Sequence, residues 1–152
     1  MDLTWVTEQI AVGGGIWTEA KMIELVRLGI THVINMQIEF DDRPLAEPFG
    51  VQVLWNPAED DFEPKPAAMF ERGVQFALEA MKTPEAKVFI HCAAGVHRAP
   101  MMTLAILRRL GWSLEDAMET VQSLRPVVDW AEVYVRSVED YVRQSGVASR
   151  EE

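Results

Sequence analysis

The sequence contains a single cysteine, Cys92, among its 152 residues. One thiol excludes an intramolecular disulfide and a zinc cluster built on several cysteines, so Cys92 is either a buried apolar filler or a reacting group. Long apolar runs are also missing, with nothing approaching the roughly 18 consecutive apolar residues of a membrane span. The start, Met1-Asp2-Leu3-Thr4-Trp5, lacks the basic-then-apolar order of a secretory signal. The expected setting is soluble and cytoplasmic. Basic residues are scarce: 14 stand against 24 acidic ones, a formal charge of −10 at pH 7. That balance repels nucleic-acid backbones and anionic membrane surfaces, so neither is expected as a partner. Repeats, low-complexity tracts and long linkers are absent too, which points to one domain over 1–152 with about 145–152 as a frayed tail.

What is present is an apolar fraction of 49%, enough for a substantial core, and an alternation of strand-like and helix-like patterns. Ile10-Ala11-Val12 reads as a strand closed by Gly13-Gly14-Gly15, a run expected to lie outside regular structure. Met22, Ile23, Leu25, Val26 and Leu28 have helical spacing between a Thr18 cap and Gly29. His32 to Asn35 and Val51 to Trp55 are short strand-like runs separated by an acidic, proline-containing loop. A helix is expected from near Pro66, a buried strand over Lys87 to His91, and a helix from Pro100 to Leu110 that stops at Gly111. Ser113 caps the next helix, Arg125-Pro126 ends it, and a last helix is expected from about Trp130 to Arg143. Strands alternating with helices predict an α/β fold with a mixed, mainly parallel central sheet flanked by helices.

The stretch that carries chemistry is His91-Cys92-Ala93-Ala94-Gly95-Val96-His97-Arg98-Ala99-Pro100, between an expected strand and an expected helix. A strand-to-helix turn aims successive backbone N–H groups and the positive end of the helix dipole at one spot, where an anion binds. A cysteine in that turn feels the same field, which favours thiolate over thiol. Arg98 closes the turn with a planar fork of donors that matches two phosphate oxygens. An arginine at a helix start opposes the dipole and needs an anion or a carboxylate beside it. Gly95 allows a backbone conformation that larger residues resist. His91 is either a satisfied core histidine or a group that acts on Cys92, and His97 either a loop-surface residue or a substrate contact.

The pattern H-C-x5-R with glycine at the third x is the signature of cysteine-dependent phosphatases, and the chain resembles the dual-specificity branch. The likeness includes Val12-Gly13-Gly14, Gly29-Ile30-Thr31-His32-Val33-Ile34-Asn35, Asn56-Pro57-Ala58-Glu59-Asp60 and Leu124-Arg125-Pro126. It implies a dual-specificity phosphatase-like sheet and helices, with Cys92 as nucleophile and Arg98 as clamp. Ala93, Ala94, Gly95, Val96, His97 and Arg98 would hold the phosphate, and His91 would order the loop and tune Cys92. The general acid would be an aspartate in the loop after the third strand. Asp60 matches that position best, and its neighbour Asp61 is the alternative. No metal or organic cofactor is needed for this chemistry.

The residue after the arginine is usually serine or threonine, whose hydroxyl helps the thiolate leave; here it is Ala99. The same Arg-Ala-Pro ending occurs in the phosphatases of regenerating liver, a subgroup with slow turnover. The end, Ser149-Arg150-Glu151-Glu152, has neither a prenylation cysteine nor a basic tail. No second cysteine can protect Cys92 as a disulfide. Ala93, Ala94 and Val96 carry no positive charge, which suits a phosphomonoester better than a highly phosphorylated inositol. The expected substrate is a phosphorylated protein, phosphotyrosine first and phosphoserine or phosphothreonine after it, or a small phosphomonoester; no partner protein is legible. The rival reading from another class is a phosphate- or partner-binding module with little turnover. Arsenate reductases need more cysteines, and sulfurtransferases normally lack the closing arginine.

Overall fold

The computed structural model describes residues 1–146. Five strands, β1 (Leu3–Trp5), β2 (Ile10–Gly13), β3 (His32–Gln37), β4 (Gln52–Ala58) and β5 (Val88–His91), form one sheet in the order β1-β2-β5-β3-β4. β1 is antiparallel to β2, and every other pairing is parallel. Around the sheet lie α1 (Glu19–Arg27), the short α2 (Arg43–Ala46), α3 (Ala67–Met81), α4 (Arg98–Arg109), α5 (Leu114–Leu124) and α6 (Glu132–Ser145). Among the described residues no helix is long and apolar enough to cross a membrane. α6 runs through Ser145 and Gly146 caps it, while the rest of the expected frayed tail lies outside the described residues.

Side chains alternate across a strand, and here both faces are covered. Ile10, Val12, Ile34, Met36, Val88 and Ile90 pack in one cluster with residues of α3 to α6, whereas Ala11, Val33 and Phe89 pack with Met22 and Leu25 of α1 and Ala46 of α2. Fully burying a side chain such as Phe89 or Ile90 contributes about 1.5–3 kcal/mol. The same alternation turns His91 to the side of Phe89, on which its ring stacks at 5.4 Å. The strand order places β5 mid-sheet, so that the loop leaving its carboxyl end lies where open α/β sheets bind ligands.

Several boundaries differ from expectation for local reasons. Gly13 belongs to β2 rather than to a loose glycine run: it pairs with Leu3 and His91, and a Cβ there would lie 2.0 Å from the Asp2 carbonyl oxygen. The three residues of β1 are too few to show a period. β4 continues to Ala58 with Pro57 inside it, which an edge strand tolerates, and its pairing with β3 shifts register between Asn35 and Gln37. α4 begins at Arg98, two residues before the expected start, so Pro100 falls in the first turn, where a missing N–H breaks no helical bond. The acidic loop after β3 contains α2 and a 3-10 turn over Glu47–Phe49. Thr18 caps α1 by accepting from the Lys21 N–H at 3.2 Å, and Ser113 caps α5 by accepting from that of Asp116 at 3.1 Å.

Candidate active site

Residues 92–98 link the centre of the sheet to the most buried helix of the chain. Four successive carbonyls of the loop are tied to its surroundings. The Gly15 N–H donates to Ala93 O (3.0 Å), Arg125 donates to Ala94 O (3.1 Å) and Gly95 O (2.9 Å), and the Asp129 N–H donates to Val96 O (3.1 Å). In a trans peptide the N–H points opposite to the carbonyl, and no peptide here is cis. The N–H groups of Ala94, Gly95, Val96 and His97 therefore face the other way, toward the hollow of the loop, as the Gly95 N–H at 3.3 Å from Cys92 Sγ indicates. Successive N–H groups turned to one side form a backbone nest, a geometry able to bind an anion.

Cys92 is buried, and its sulfur accepts from two backbone donors, Gly95 N–H at 3.3 Å and Ala99 N–H at 3.4 Å. The second comes from the first turn of α4, whose N–H groups have no partner within the helix. Gly95 has φ +68°, and a Cβ on it would stand 2.4 Å from Arg125 Nη2 and 2.7 Å from the Gly13 carbonyl carbon. Both the backbone angle and the close approach require glycine. Arg125 itself is fixed by a two-pronged pair with Asp2, whose carboxyl is held below its ordinary range by that bond.

Arg98 is buried, and the carboxylate that its position calls for is Glu39. Nη1 and Nη2 donate to the two Glu39 oxygens at 2.7 and 2.9 Å, and Nη1 also donates to Ala58 O at 3.0 Å. The bond from Arg98 lowers the Glu39 pKa to about 2, and the same bond raises that of Arg98. Arg98 Nε is buried without a hydrogen-bond partner. The guanidinium is thus gripped along one edge, and a donor remains on the other. The sequence alone does not single out Glu39, since it lies 59 positions from Arg98 in a loop that reads as generic acid.

Asp60 stands against the loop after β5: Oδ2 is 2.9 Å from His97 Nδ1, and Oδ1 accepts from the Tyr134 hydroxyl at 2.9 Å. Asp61 turns away to Lys65 Nζ at 2.6 Å, a bond that keeps its carboxyl below the ordinary range. The structure therefore brings Asp60, and not Asp61, to the loop. His97 has its ring between two carboxylates, with Nε2 2.9 Å from Asp129 Oδ2, and the ring of Phe62 meets it edge-on at 5.0 Å. Burial works against protonation of His97, and the bonds to Asp129 and Asp60 outweigh it, so its pKa is raised. Burial foremost, together with Asp60, pushes Tyr134 up to about 12, so its hydroxyl remains a donor at neutral pH. His91 is fully buried: Nε2 makes a short bond to the buried Asp42, and Nδ1 lies 3.4 Å from Cys92 O. Asp129, Tyr134 and Asp42 carry no sequence signal, because each meets the site through the fold alone.

The chain is thus an α/β protein whose loop between a central strand and a helix carries a cysteine at one end and an arginine at the other. The family description "Dual specificity phosphatase, catalytic domain" matches residues 15–144, and the chain belongs to that family of cysteine-dependent phosphomonoester hydrolases. It is 28% identical over 130 residues to protein phosphatase Slingshot homolog 3 of Rattus norvegicus, covering 84% of this chain and 19% of the relative. It is 33% identical over 114 residues to dual specificity protein phosphatase 13B of Mus musculus, covering 68% of this chain and 54% of the relative. The chain thus spans about a fifth and about half of these proteins. Crystal structures of PTPMT1 (TM-score 0.81, 23% identity, 93% of this chain and 94% of that one) and human DUSP28 (0.79, 23%, 97% of each) share the fold.

Proposed function

We propose that the chain hydrolyses phosphomonoesters in two steps, with Cys92 as nucleophile, Arg98 as clamp and Asp60 as general acid. In the first step the Cys92 thiolate attacks phosphorus while the loop N–H groups and Arg98 hold the equatorial oxygens, and Asp60 protonates the leaving oxygen. In the second, water attacks phosphorus, the sulfur departs as thiolate, and Asp60 takes the proton from water. The observation that carries this reading is the convergence on one loop of a buried sulfur with two N–H donors, a guanidinium held from behind, and a carboxyl fixed at the rim.

Phosphotyrosine in proteins is the preferred substrate in this reading, with phosphoserine and phosphothreonine secondary. Two aromatics border the loop. The Trp17 indole folds over Gly15, which is bonded to Ala93, and meets Phe40 edge-on at 5.1 Å; Phe62 meets His97 and lies parallel to Tyr134 at 5.7 Å. Trp17 and Phe62 are half exposed, and both hold positive φ, 59° and 58°, a costly conformation for bulky side chains that clusters at functional sites. Apolar rings at the rim suit an aryl phosphate, and a cytoplasmic setting suits a reactive thiol with no second cysteine to protect it. The Arg-Ala-Pro ending shared with phosphatases of regenerating liver goes with a slow second step. It also favours the alternative of a phosphate-binding module with little turnover, because Ala99 offers no hydroxyl to the departing sulfur.

The test is phosphate release from a phosphotyrosine peptide and from aryl phosphates by the wild type and Cys92→Ser. Loss of turnover with retained vanadate binding in the variant supports the scheme. Turnover within about tenfold of wild type removes Cys92 as nucleophile, and vanadate binding by a wild type that does not turn over selects the binding module.

A further inference from the structure

His97 carries a contact set that neither phosphate binding nor loop structure requires. Its two ring nitrogens address two different carboxylates, Asp60 from the loop after β4 and Asp129 from the segment before α6, each at 2.9 Å. The remaining charged or titratable groups nearby are engaged elsewhere. Arg98, next in the chain, is paired with Glu39, Asp61 is paired with Lys65, and the Tyr134 hydroxyl donates to the far oxygen of Asp60.

Proton placement follows from the partners. Asp129, mostly exposed, accepts at His97 Nε2, which fixes a hydrogen on that nitrogen. In the neutral ring Nδ1 is then an acceptor, and the Asp60 Oδ2 facing it must carry a proton; in the imidazolium both nitrogens donate and Asp60 is a carboxylate. These two descriptions contain the same number of protons. They differ only in which end of one 2.9 Å hydrogen bond holds it.

We propose that one proton shared between His97 Nδ1 and Asp60 Oδ2 is the proton delivered to the leaving oxygen, with Asp129 as the positioning residue that keeps Nδ1 turned to Asp60. This rests on Asp60 being the general acid. An isolated aspartic acid, with an ordinary pKa of about 3.9, is protonated in only about one molecule in a thousand at pH 7, a poor store for an acid. Pairing it with an imidazole keeps the proton on the pair to higher pH, and the raised pKa of His97 agrees. As the S–P bond forms and the P–O bond breaks, the leaving oxygen takes the shared proton and leaves neutral His97 beside an Asp60 carboxylate. As water then bonds to phosphorus and the S–P electron pair returns to Cys92, the proton of water refills the pair. Over the cycle one ester and one water give one alcohol or phenol and one phosphate.

The experiment compares the wild type with His97→Asn, Asp129→Asn and Asp60→Asn on phenyl phosphate and on an activated aryl phosphate across pH. It also follows the His97 ring nitrogens by NMR titration. The wild type is expected to hold its rate on phenyl phosphate through pH 6.5, the ordinary histidine value, and to decline above it. His97→Asn is expected to cut phenyl phosphate turnover at pH 7 by about tenfold or more, the activated ester by less than about threefold, and to move the alkaline limb down by about two pH units or more, toward the ordinary aspartate value. Asp129→Asn is expected to fall between the two, and Asp60→Asn to lower the pH at which His97 titrates. If Asp60→Asn loses poor leaving groups selectively while His97→Asn keeps the wild-type leaving-group dependence and alkaline limb, the shared proton is refuted and the general acid stands. The shared proton is refuted likewise if His97 titrates identically with and without the Asp60 carboxyl. If Asp60→Asn spares poor leaving groups, the acid assignment and the shared proton fall together.

Discussion

Glu39 grips Arg98 with both carboxylate oxygens, and the grip leaves a signature in pH. The folded-state pKa of Glu39 lies at about 2, below its ordinary 4.5, because of the bond from Arg98. A depressed carboxylate contributes stability that is complete above the unfolded value and is lost as pH falls through the folded one, so the window runs from 4.5 down to about 2. Melting temperatures of wild type and Glu39→Gln are expected to converge across that window and to differ most above it; a constant difference would mean that the ion pair does not report there. Near pH 7 a Gln offers one acceptor where the carboxylate offered two, so the guanidinium is less firmly aimed and kcat/KM is expected to fall by about tenfold. This pairing also marks where sequence reading stops. Cys92, Gly95 and Arg98 are legible because one seven-residue loop holds all three, whereas Glu39 reaches Arg98 across 59 positions, and the sequence requires only that some anion or carboxylate be there.

At the scale of elements, α4 delivers the N–H of Ala99 to the sulfur, and α6 holds the loop that carries Asp60. Tyr134 bonds both to Asp60 and to the Phe62 N–H, and Ser137 accepts from the Lys65 N–H at 3.0 Å. The helices are legible from period and caps: Thr18 and Ser113 cap α1 and α5 as expected. β1 is not, because three residues make no pattern and Asp2 gains its importance only when Arg125, 123 positions on, reaches back to it. α4 also bears on rate. In the proposed mechanism Cys92, Arg98 and Asp60 serve the first step, whereas in the second the departing thiolate would meet two backbone N–H donors and no hydroxyl at residue 99. A hydrogen bond to a charged group is worth about 1.5–3 kcal/mol, a factor of roughly 10 to 150 in rate if made mainly in the transition state. The expected outcome is a burst of product equal to the enzyme, then slow turnover, with Ala99→Ser raising the steady rate and leaving the burst rate nearly unchanged. Rapid-quench kinetics on both proteins decides the matter: absence of a burst together with no gain in Ala99→Ser would falsify a rate-limiting second step.

For the molecule as a whole, the charge of −10 is at odds with an anionic substrate. The acid is concentrated where the substrate must arrive: Glu39, Glu59, Asp60, Asp61 and Asp129 all lie in or beside the elements that frame the loop. Attraction by the N–H nest and Arg98 acts at contact distance, while the repulsion acts over a Debye length, about 30 Å at 0.01 M salt and about 8 Å at 0.15 M. Added salt therefore removes more of the long-range repulsion than of the short-range capture, provided the salt anion does not itself occupy the loop. Raising sodium chloride from about 0.01 to about 0.15 M is expected to increase kcat/KM by about two- to fivefold for a phosphopeptide rich in acidic residues. A peptide with the same phosphotyrosine and basic flanks should show the opposite slope, since its flanks are drawn to the rim that repels the acidic ones. The pair of slopes separates the field from competition by chloride, which would lower both in the same proportion. Equal slopes for the two peptides would mean that the rim carboxylates do not sort substrates by charge, and that aromatic contacts at Trp17 and Phe62 are left to do so.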